Sequence, residues 1–445
     1  MSKTKPANFY AVVWRWHFYA GLLVIPVLML LVVTGAIYLF KPQLDPLLYP
    51  QLLRVSPAKQ QVTADTMVAT LTQNYPAMQV TKYTPAEQID RSAQFKIQLA
   101  DGAERLVFID PYRNQILGEQ DFAWTLQGIA LRLHGELLLG PWGDALIELA
   151  ASWSILLVLS GWYLWWPSKA GVWGTFLPRL GAGKRVFWRD LHAVGGFWCS
   201  GVLLFLLLTG LPWTGIWGEK FAEVWQRYPS ALWNQLPEST PLTRSLNSTV
   251  DKAVPWAVEA APLPHSEHAA HQSQPLATTA LSLTQIQGIA SQLNMQAGLS
   301  ISPPKDAKGV YTLSLAVDDP VQQRTLHLDQ YSGKVLADIR FADYGWVPKA
   351  VEYGIAIHEG KYFGLPNQLL MLSACVLLIL ISISGVVMWL KRRPVGQFAA
   401  PKTAQSLLHW KTGSLILLAL ALLLPMVLIS VLLVFALDFL LLRRA

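Results

Sequence analysis

Five uncharged or nearly uncharged runs punctuate the chain: Phe18–Phe40, Ala145–Trp166, Leu191–Trp217, Asn367–Leu390 and Thr412–Leu437. Each is long enough to cross a hydrocarbon core of about 30 Å as a helix. The long stretches between them are patterned differently. Val62–Tyr75 has helical periodicity and is followed by the alternating stretches Gln79–Tyr83, Gln94–Leu99 and Arg105–Asp110. Leu281–Leu293 is again helical, and Val310–Ala316 and Arg324–Asp329 alternate as strands. The expected fold is an α-helical polytopic membrane protein of about five spans, with two small α+β domains outside the bilayer.

The pattern repeats. Both external segments close on one phrase, Phe108-Ile109-Asp110-Pro111-Tyr112-Arg113-Asn114 and His327-Leu328-Asp329-Gln330-Tyr331-Ser332-Gly333. In each, a strand enters a turn headed by Asp, with Asn or Gly where positive φ is needed. His17, Gly21, Thr34 and Gly35 reappear 175 residues later as His192, Gly196, Thr209 and Gly210. His134, Ser160, Gly161 and Trp165 reappear 224 residues later as His358, Ser384, Gly385 and Trp389. The unit is a span, an external α+β domain, a histidine segment and a second span, in one orientation, so a pseudo-twofold axis along the membrane normal is expected. The boundaries follow: a first span within 1–40, an external domain at 41–121, a histidine segment and second span at 122–166, and a basic loop at 167–190. The third span is 191–217, the second external segment 218–345, the next histidine segment and span 346–390, a loop 391–408, and a fifth span within 409–445. The second external segment carries an insertion over roughly 218–280. Its aromatics Phe221, Trp225, Tyr228 and Trp233 suit a membrane interface and offer a wall for a bulky ligand. Its Ala-, Pro-, Ser- and His-rich part reads as a linker.

Only 14% of the 445 residues are charged and 53% are apolar, where a soluble domain carries about a quarter charged. This excludes a disordered chain and a plain cytosolic enzyme. The net charge of +7 is no nucleic-acid signal. Residues 1–16, 167–190 and 391–408 hold twelve basic residues against Asp190 alone, the positive-inside pattern. The N-terminus and both short loops are therefore expected in the cytoplasm, and the long segments outside. The first run has no A-x-A site after Phe40 and reads as an uncleaved anchor. Cys199 and Cys375 both fall within spans, so no disulfide framework is expected outside.

Histidine supplies the candidate chemistry. His17, His192 and His409 each open a span on the basic side, each with glycine four residues on, at Gly21, Gly196 and Gly413. Positions i and i+4 share a helix face, and glycine there lets a flat group approach. His134 and His358 precede the second and fourth spans on the other side. An inner set and an outer set point to bis-imidazole ligation of two haems, with two of His17, His192 and His409 inside, symmetry favouring the first two, and His134 with His358 outside. Arg15 and Arg189 flank the inner histidines, and Arg132 and Lys361 the outer, as candidate partners of haem propionates or as interfacial anchors. Glu148, one turn from Asp144, is an intramembrane carboxylate and a functional candidate. His265-x2-His268-x2-His271 reads as solvated linker, and His327 as structural.

The Trp188-Arg189-x2-His192, Leu133-His134-Gly135 and Ile357-His358-Glu359 phrases, the Ser/Thr-Gly pairs and the two Asp-x-Tyr turns resemble the PepSY-associated transmembrane-helix family of bacterial inner-membrane proteins. That family includes ferric-siderophore reductases. The resemblance implies PepSY-like domains in the periplasm, haem b held by membrane histidines, and reduction of ferric iron from a siderophore or other chelate. An unidentified cytoplasmic or quinol donor would supply the electrons. The alternative is a non-enzymatic PepSY module that regulates a periplasmic protease or acts as a sensor, which leaves the membrane histidines unexplained.

Overall fold

Long apolar runs become long helices, and the helices outrun the apolar runs. In the computed structural model, which describes residues 9–166, 171–227, 243–247, 253–259, 261–266, 279–392 and 418–432, α1 spans Phe9–Leu39. After it come α2 (Lys41–Leu48), α3 (Pro50–Leu53), α4 (Ala64–Asn74), α5 (Leu126–Glu136), α6 (Pro141–Trp165) and α7 (Lys184–Gly210). The later helices are α8 (Gly215–Arg227), α9 (Trp256–Glu259), α10 (Leu283–Gln292), α11 (Trp346–His358) and α12 (Leu365–Arg392). Among the described residues, α1, α6, α7 with its 3₁₀ extension to Trp213, and α12 are long and apolar enough to cross a membrane. Basic residues such as Arg15 and Arg185 end a hydropathy run but not a helix, because their stems reach back to the interface. The run expected to reach Trp217 instead breaks after Gly210, where Pro212 cannot continue the helical hydrogen bonding. The fifth expected span is described only over 418–432, which is helical.

The chain divides into two units, one holding residues to 37, 130–224 and from 369, the other 38–129 and 225–368. In the helical unit, α7 contributes to two apolar clusters. Leu207 and Leu211, at its end and just beyond, pack with Ala151 and Ile155 of α6 and with Ala421, Leu424 and Val427. Its Cys199 packs with Val32 of α1 and Leu378 of α12. Cys199 on α7 and Cys375 on α12 are both free thiols.

The other unit corrects an expectation. Two separate α+β domains were expected; one eight-stranded sheet is found, in the order β4-β3-β2-β1-β5-β6-β7-β8. Its strands are β1 (Gln79–Thr84), β2 (Ala93–Gln98), β3 (Glu104–Asp110), β4 (Gln115–Gln120), β5 (Leu299–Ser302), β6 (Val310–Leu315), β7 (Arg324–Asp329) and β8 (Val335–Arg340). The two halves meet where β1 pairs antiparallel with β5, Tyr83 opposite Ile301. Each half alone would expose β1 or β5 as an open edge, and pairing them removes that edge. The join also merges the cores. Met67, Leu71, Phe95 and Ile97 from the first half of the sheet unit share one cluster with Ile286, Ile301, Leu313 and Leu328 from the second. Across the same join, Asp65 N–H donates to Thr284 Oγ1 (3.1 Å) and Thr284 N–H to Asp65 Oδ1 (3.3 Å).

The repeated turns form as expected. Asp110 Oδ1 accepts from the N–H groups of Tyr112 and Arg113, and Asp329 Oδ1 from those of Tyr331 and Ser332. Asn114 and Gly333 take φ of 53° and 71°. His327, wholly buried, bonds through Nδ1 to Thr312 Oγ1 at 2.9 Å.

The buried Glu352 of α11 ties three elements together. Its Oε1 accepts from Ala257 N–H of α9 and its Oε2 from Gln323 Nε2, while Gln323 Oε1 has no partner. Burial lifts its carboxyl above the ordinary range, against the pull of those two bonds. A carboxyl raised in the folded state favours the fold at low pH and loses that contribution as pH rises through the folded value. Glu352→Gln is therefore expected to melt no lower than the parent at neutral pH and to flatten the rise in melting temperature on acidification. The Gln323 amide turns over, so that its idle Oε1 accepts from the new side-chain amide. A melt several degrees lower at neutral pH contradicts this account.

Candidate functional site

Each membrane histidine that the structure places in the helical unit rests on a hydroxyl residue followed by glycine. His17 on α1 meets Ser160 Oγ on α6 at 2.9 Å through Nδ1. His192 on α7 meets Ser384 Oγ on α12 at 3.2 Å and the Ile381 carbonyl at 3.0 Å, again through Nδ1. His134 on α5 meets Thr34 Oγ1 on α1 at 3.1 Å, once more through Nδ1. The glycine that follows each hydroxyl residue makes the approach possible. A Cβ at Gly161, Gly385 or Gly35 would stand 3.4, 3.3 or 3.2 Å from the Cε1 of His17, His192 or His134.

The direction of these bonds follows from counting protons. A hydroxyl has one hydrogen to give. Ser160 gives it to the Leu156 carbonyl (2.6 Å), Ser384 to Ile381 (2.7 Å) and Thr34 to Leu30 (2.8 Å). Each hydroxyl oxygen is left as an acceptor, so the Nδ1 facing it carries the proton. The Ile381 carbonyl can only accept, which assigns His192 independently. Neutral imidazole protonated at Nδ1 presents its lone pair at Nε2. His134, outside the long spans, is held below the ordinary histidine range by desolvation, against the pull of a hydrogen bond to the Leu31 backbone. Thr209 holds its hydroxyl in the same posture, on the Phe205 carbonyl at 2.8 Å.

The inner histidines come together. The His17 and His192 rings stand 6.3 Å apart, centre to centre, with planes at 88°. Space lies open beside them: a side chain at Gly196 would meet nothing within 4 Å, and one at Gly21 only Leu157 Cδ2 at 3.9 Å. His134 belongs to the helical unit, and His358 to the sheet unit, where it closes α11 half-buried. His409, His268 and His271 lie outside the described residues. Among the described residues, no group of three or more His, Cys, Asp or Glu is placed to hold a bare metal ion.

The flanking cations differ between repeats. Arg189 gives both Nε and Nη2 to Asp190 Oδ1 (3.0 and 2.8 Å), and Arg179 holds the same carboxylate. Arg15 has no such acid; its Nε is buried without a hydrogen-bond partner, and its guanidinium lies 5.7 Å from the Tyr19 ring centre. Arg132 pairs with Glu136 and Lys361 with Glu359. Asp144 and Glu148 serve α8: Asp144 Oδ2 accepts from Gly215 N–H (2.7 Å), and Glu148 Oε2 from Ile216 and Trp217 N–H (3.0 and 3.1 Å). Carboxylates at a helix start satisfy donors that have no partner within the helix, which gives the intramembrane Glu148 a structural role.

The model of the PepSY-associated TM region matches residues 14–392. The chain belongs to that family. No curated protein matches the chain. This PepSY-associated membrane protein is multi-pass, and the family match covers all four long helices but for the first residues of α1. The residues that sequence reasoning left without a role are the Ser/Thr-Gly pairs. Their signal was present: each recurs at the same offset, 175 or 224, as the histidines.

Proposed function

We propose that this protein is a transmembrane haem oxidoreductase that passes electrons across the bacterial inner membrane to ferric iron in the periplasm, held in a siderophore or similar chelate. The observation that carries the reading is the pairing of His17 and His192, whose rings stand 6.3 Å apart. Their Nδ1 atoms, like that of His134, rest on hydroxyl or carbonyl oxygens, which leaves Nε2 as the ring nitrogen to bind. Metal-binding histidines routinely donate their other ring N–H to a protein acceptor in this way.

The inner pair suits a haem. Metal–imidazole bonds of about 2 Å would keep two rings that share one ion roughly 6 Å apart centre to centre, and His17 and His192 stand at 6.3 Å. The room beside Gly21 and Gly196 suits a flat macrocycle, and the unpartnered Nε of Arg15 suits a propionate. Arg189 is already held by Asp190, so its part is to anchor the loop. His134 is the outer candidate within the helical unit, and His358 is the residue equivalent to it under the repeat. Bound haem b supplies one-electron transfer; the protein supplies ligands of fixed orientation and an apolar surround. The excess of basic residues on the N-terminus and short loops supports a cytoplasmic N-terminus with the sheet unit outside. The donor is a cytoplasmic protein or a quinol.

The test is optical. Purified protein is expected to show a Soret band that shifts on dithionite reduction. Mixed anaerobically with a ferric trihydroxamate, the reduced protein is expected to reoxidise while a ferrous trap develops colour, and iron-free chelator is expected to leave it reduced. A colourless protein, or haems that stay reduced before every ferric chelate, overturns the reading and returns the regulatory one.

A further inference from the structure

We propose that Glu148 is a proton site, and that its Oε1 takes up one proton when the haem held by His134 is reduced. The proposal deepens the function proposed above and rests on that reading for its haem. Glu148 is wholly buried in α6, and only half of its carboxylate is in use. Oε2 accepts from Ile216 and Trp217 N–H at the start of α8, whereas Oε1 is buried with no hydrogen-bond partner. Holding α8 therefore accounts for one oxygen and leaves the other over. Ionisable groups within a span are costly and mark functional sites.

A polar row leads to it. Asp144, Glu148 and Ser152 stand at i, i+4 and i+8, on one face of α6. Asp144 lies in the first turn and is half-buried, so the row begins where solvent reaches. It ends on two orphaned atoms, because Ser152 Oγ, like Glu148 Oε1, is buried without a partner.

The charge along this row is of one sign. The charges that act most on Asp144 are those of Glu148, of Glu136 on α5 and of Glu219 on α8, all acidic. The end of α7 and the helical stretch at 418–432 meet the next turns of α6 with Leu211, Leu424 and Val427, all apolar. Like charges one turn apart repel, and a proton entering the row relieves that repulsion. Oε1 can receive it without disturbing the fold. Both N–H bonds at Oε2 remain, and the new O–H has the unpartnered Ser152 hydroxyl one turn further on.

Reduction of the haem supplies the reason for the proton. One electron from the donor turns ferric iron ferrous, and unbalanced charge is expensive in an apolar surround. One proton leaves hydronium and bonds to Oε1, so electron and proton enter one to one and the net charge of the span is unchanged. The haem concerned is the outer one. α6 opens at Pro141, just past α5, which carries His134, whereas Ser160, which meets His17, lies about three turns beyond Glu148.

The test is the reduced-minus-oxidised infrared difference spectrum of the full chain in detergent, with the redox state set electrochemically. On reduction the parent is expected to gain the carbonyl stretch of a protonated carboxylic acid, shifted in heavy water. Glu148→Gln is expected to lose that band while keeping its haem content and melting temperature, because the new side-chain oxygen still accepts from Ile216 and Trp217. Asp144→Asn is expected to keep the band, and His134→Ala to lose it while the inner centre is still reduced. A haem-loaded parent that gains no such band overturns the proposal and leaves the reductase standing, as does a band that persists in Glu148→Gln or in His134→Ala. A colourless parent overturns the function proposed above, and this proposal with it.

Discussion

Alanine in place of His17 or His192 is expected to lower the haem content by about one per chain, leaving the other centre spectrally intact. The two rings stand 6.3 Å apart, so either loss would leave one imidazole to hold the group. Added imidazole is expected to restore the missing absorbance, because the truncated side chain leaves a cavity of that shape. His409→Ala is expected to keep the inner haem. Ser160→Ala is the graded companion. It strips the hydroxyl from His17 Nδ1 without touching Nε2, so haem is expected to be retained with its midpoint potential raised, since a less basic imidazole favours the ferric state less. Ser384→Ala is expected to move the potential less, because His192 Nδ1 keeps the Ile381 carbonyl at 3.0 Å. Full haem content in both histidine variants contradicts the pairing. Retention in one of them together with bleaching in His409→Ala shows that symmetry selected the wrong partner.

Ile301→Asp is expected to unfold both halves of the sheet unit together. Ile301 is wholly buried in the core that the two repeats share, and an unpaired carboxylate there costs several kcal/mol, against a typical domain stability of about 5–15 kcal/mol. Limited proteolysis is expected to cut within 62–120 and 281–340 at the same rate, with Ile301→Val, costing about 1 kcal/mol, left resistant. Cleavage confined to the second repeat would mean that the halves fold separately despite their common sheet.

The long helices, the turns at Asp110 and Asp329 and the histidine placement were legible because each depends on local pattern: apolar length, an Asp before a residue of positive φ, a fixed offset. The β1–β5 seam was not. Leu299–Ser302 is four residues long, too short for its alternation to stand out, and no residue type marks which edge will be covered by which. The breadth of α1 and α7 was missed for a different reason, because hydropathy registers charge whereas helix formation registers backbone geometry. Of the contacts around the histidines, half were legible. The Ser/Thr-Gly pairs shared the histidines' periodicity, but only the fold shows that Ser160 faces His17 and Thr34 faces His134. Arg15 and Arg189 differ because only the second has an acid next to it, Asp190, a difference the sequence already carries.

The histidine pair draws one imidazole from each half of the chain, and the sheet joins a strand of one half to a strand of the other. Both features have the form of an isologous contact, in which one surface meets its own copy about a twofold axis. A chain holding one such half would leave its histidine alone and a strand edge open, and it would complete both by forming a homodimer. Linking the two halves makes that association intramolecular, so the pairing of His17 with His192 is independent of protein concentration. Because the halves are not required to be identical, an acid can stand at 190 with none beside Arg15.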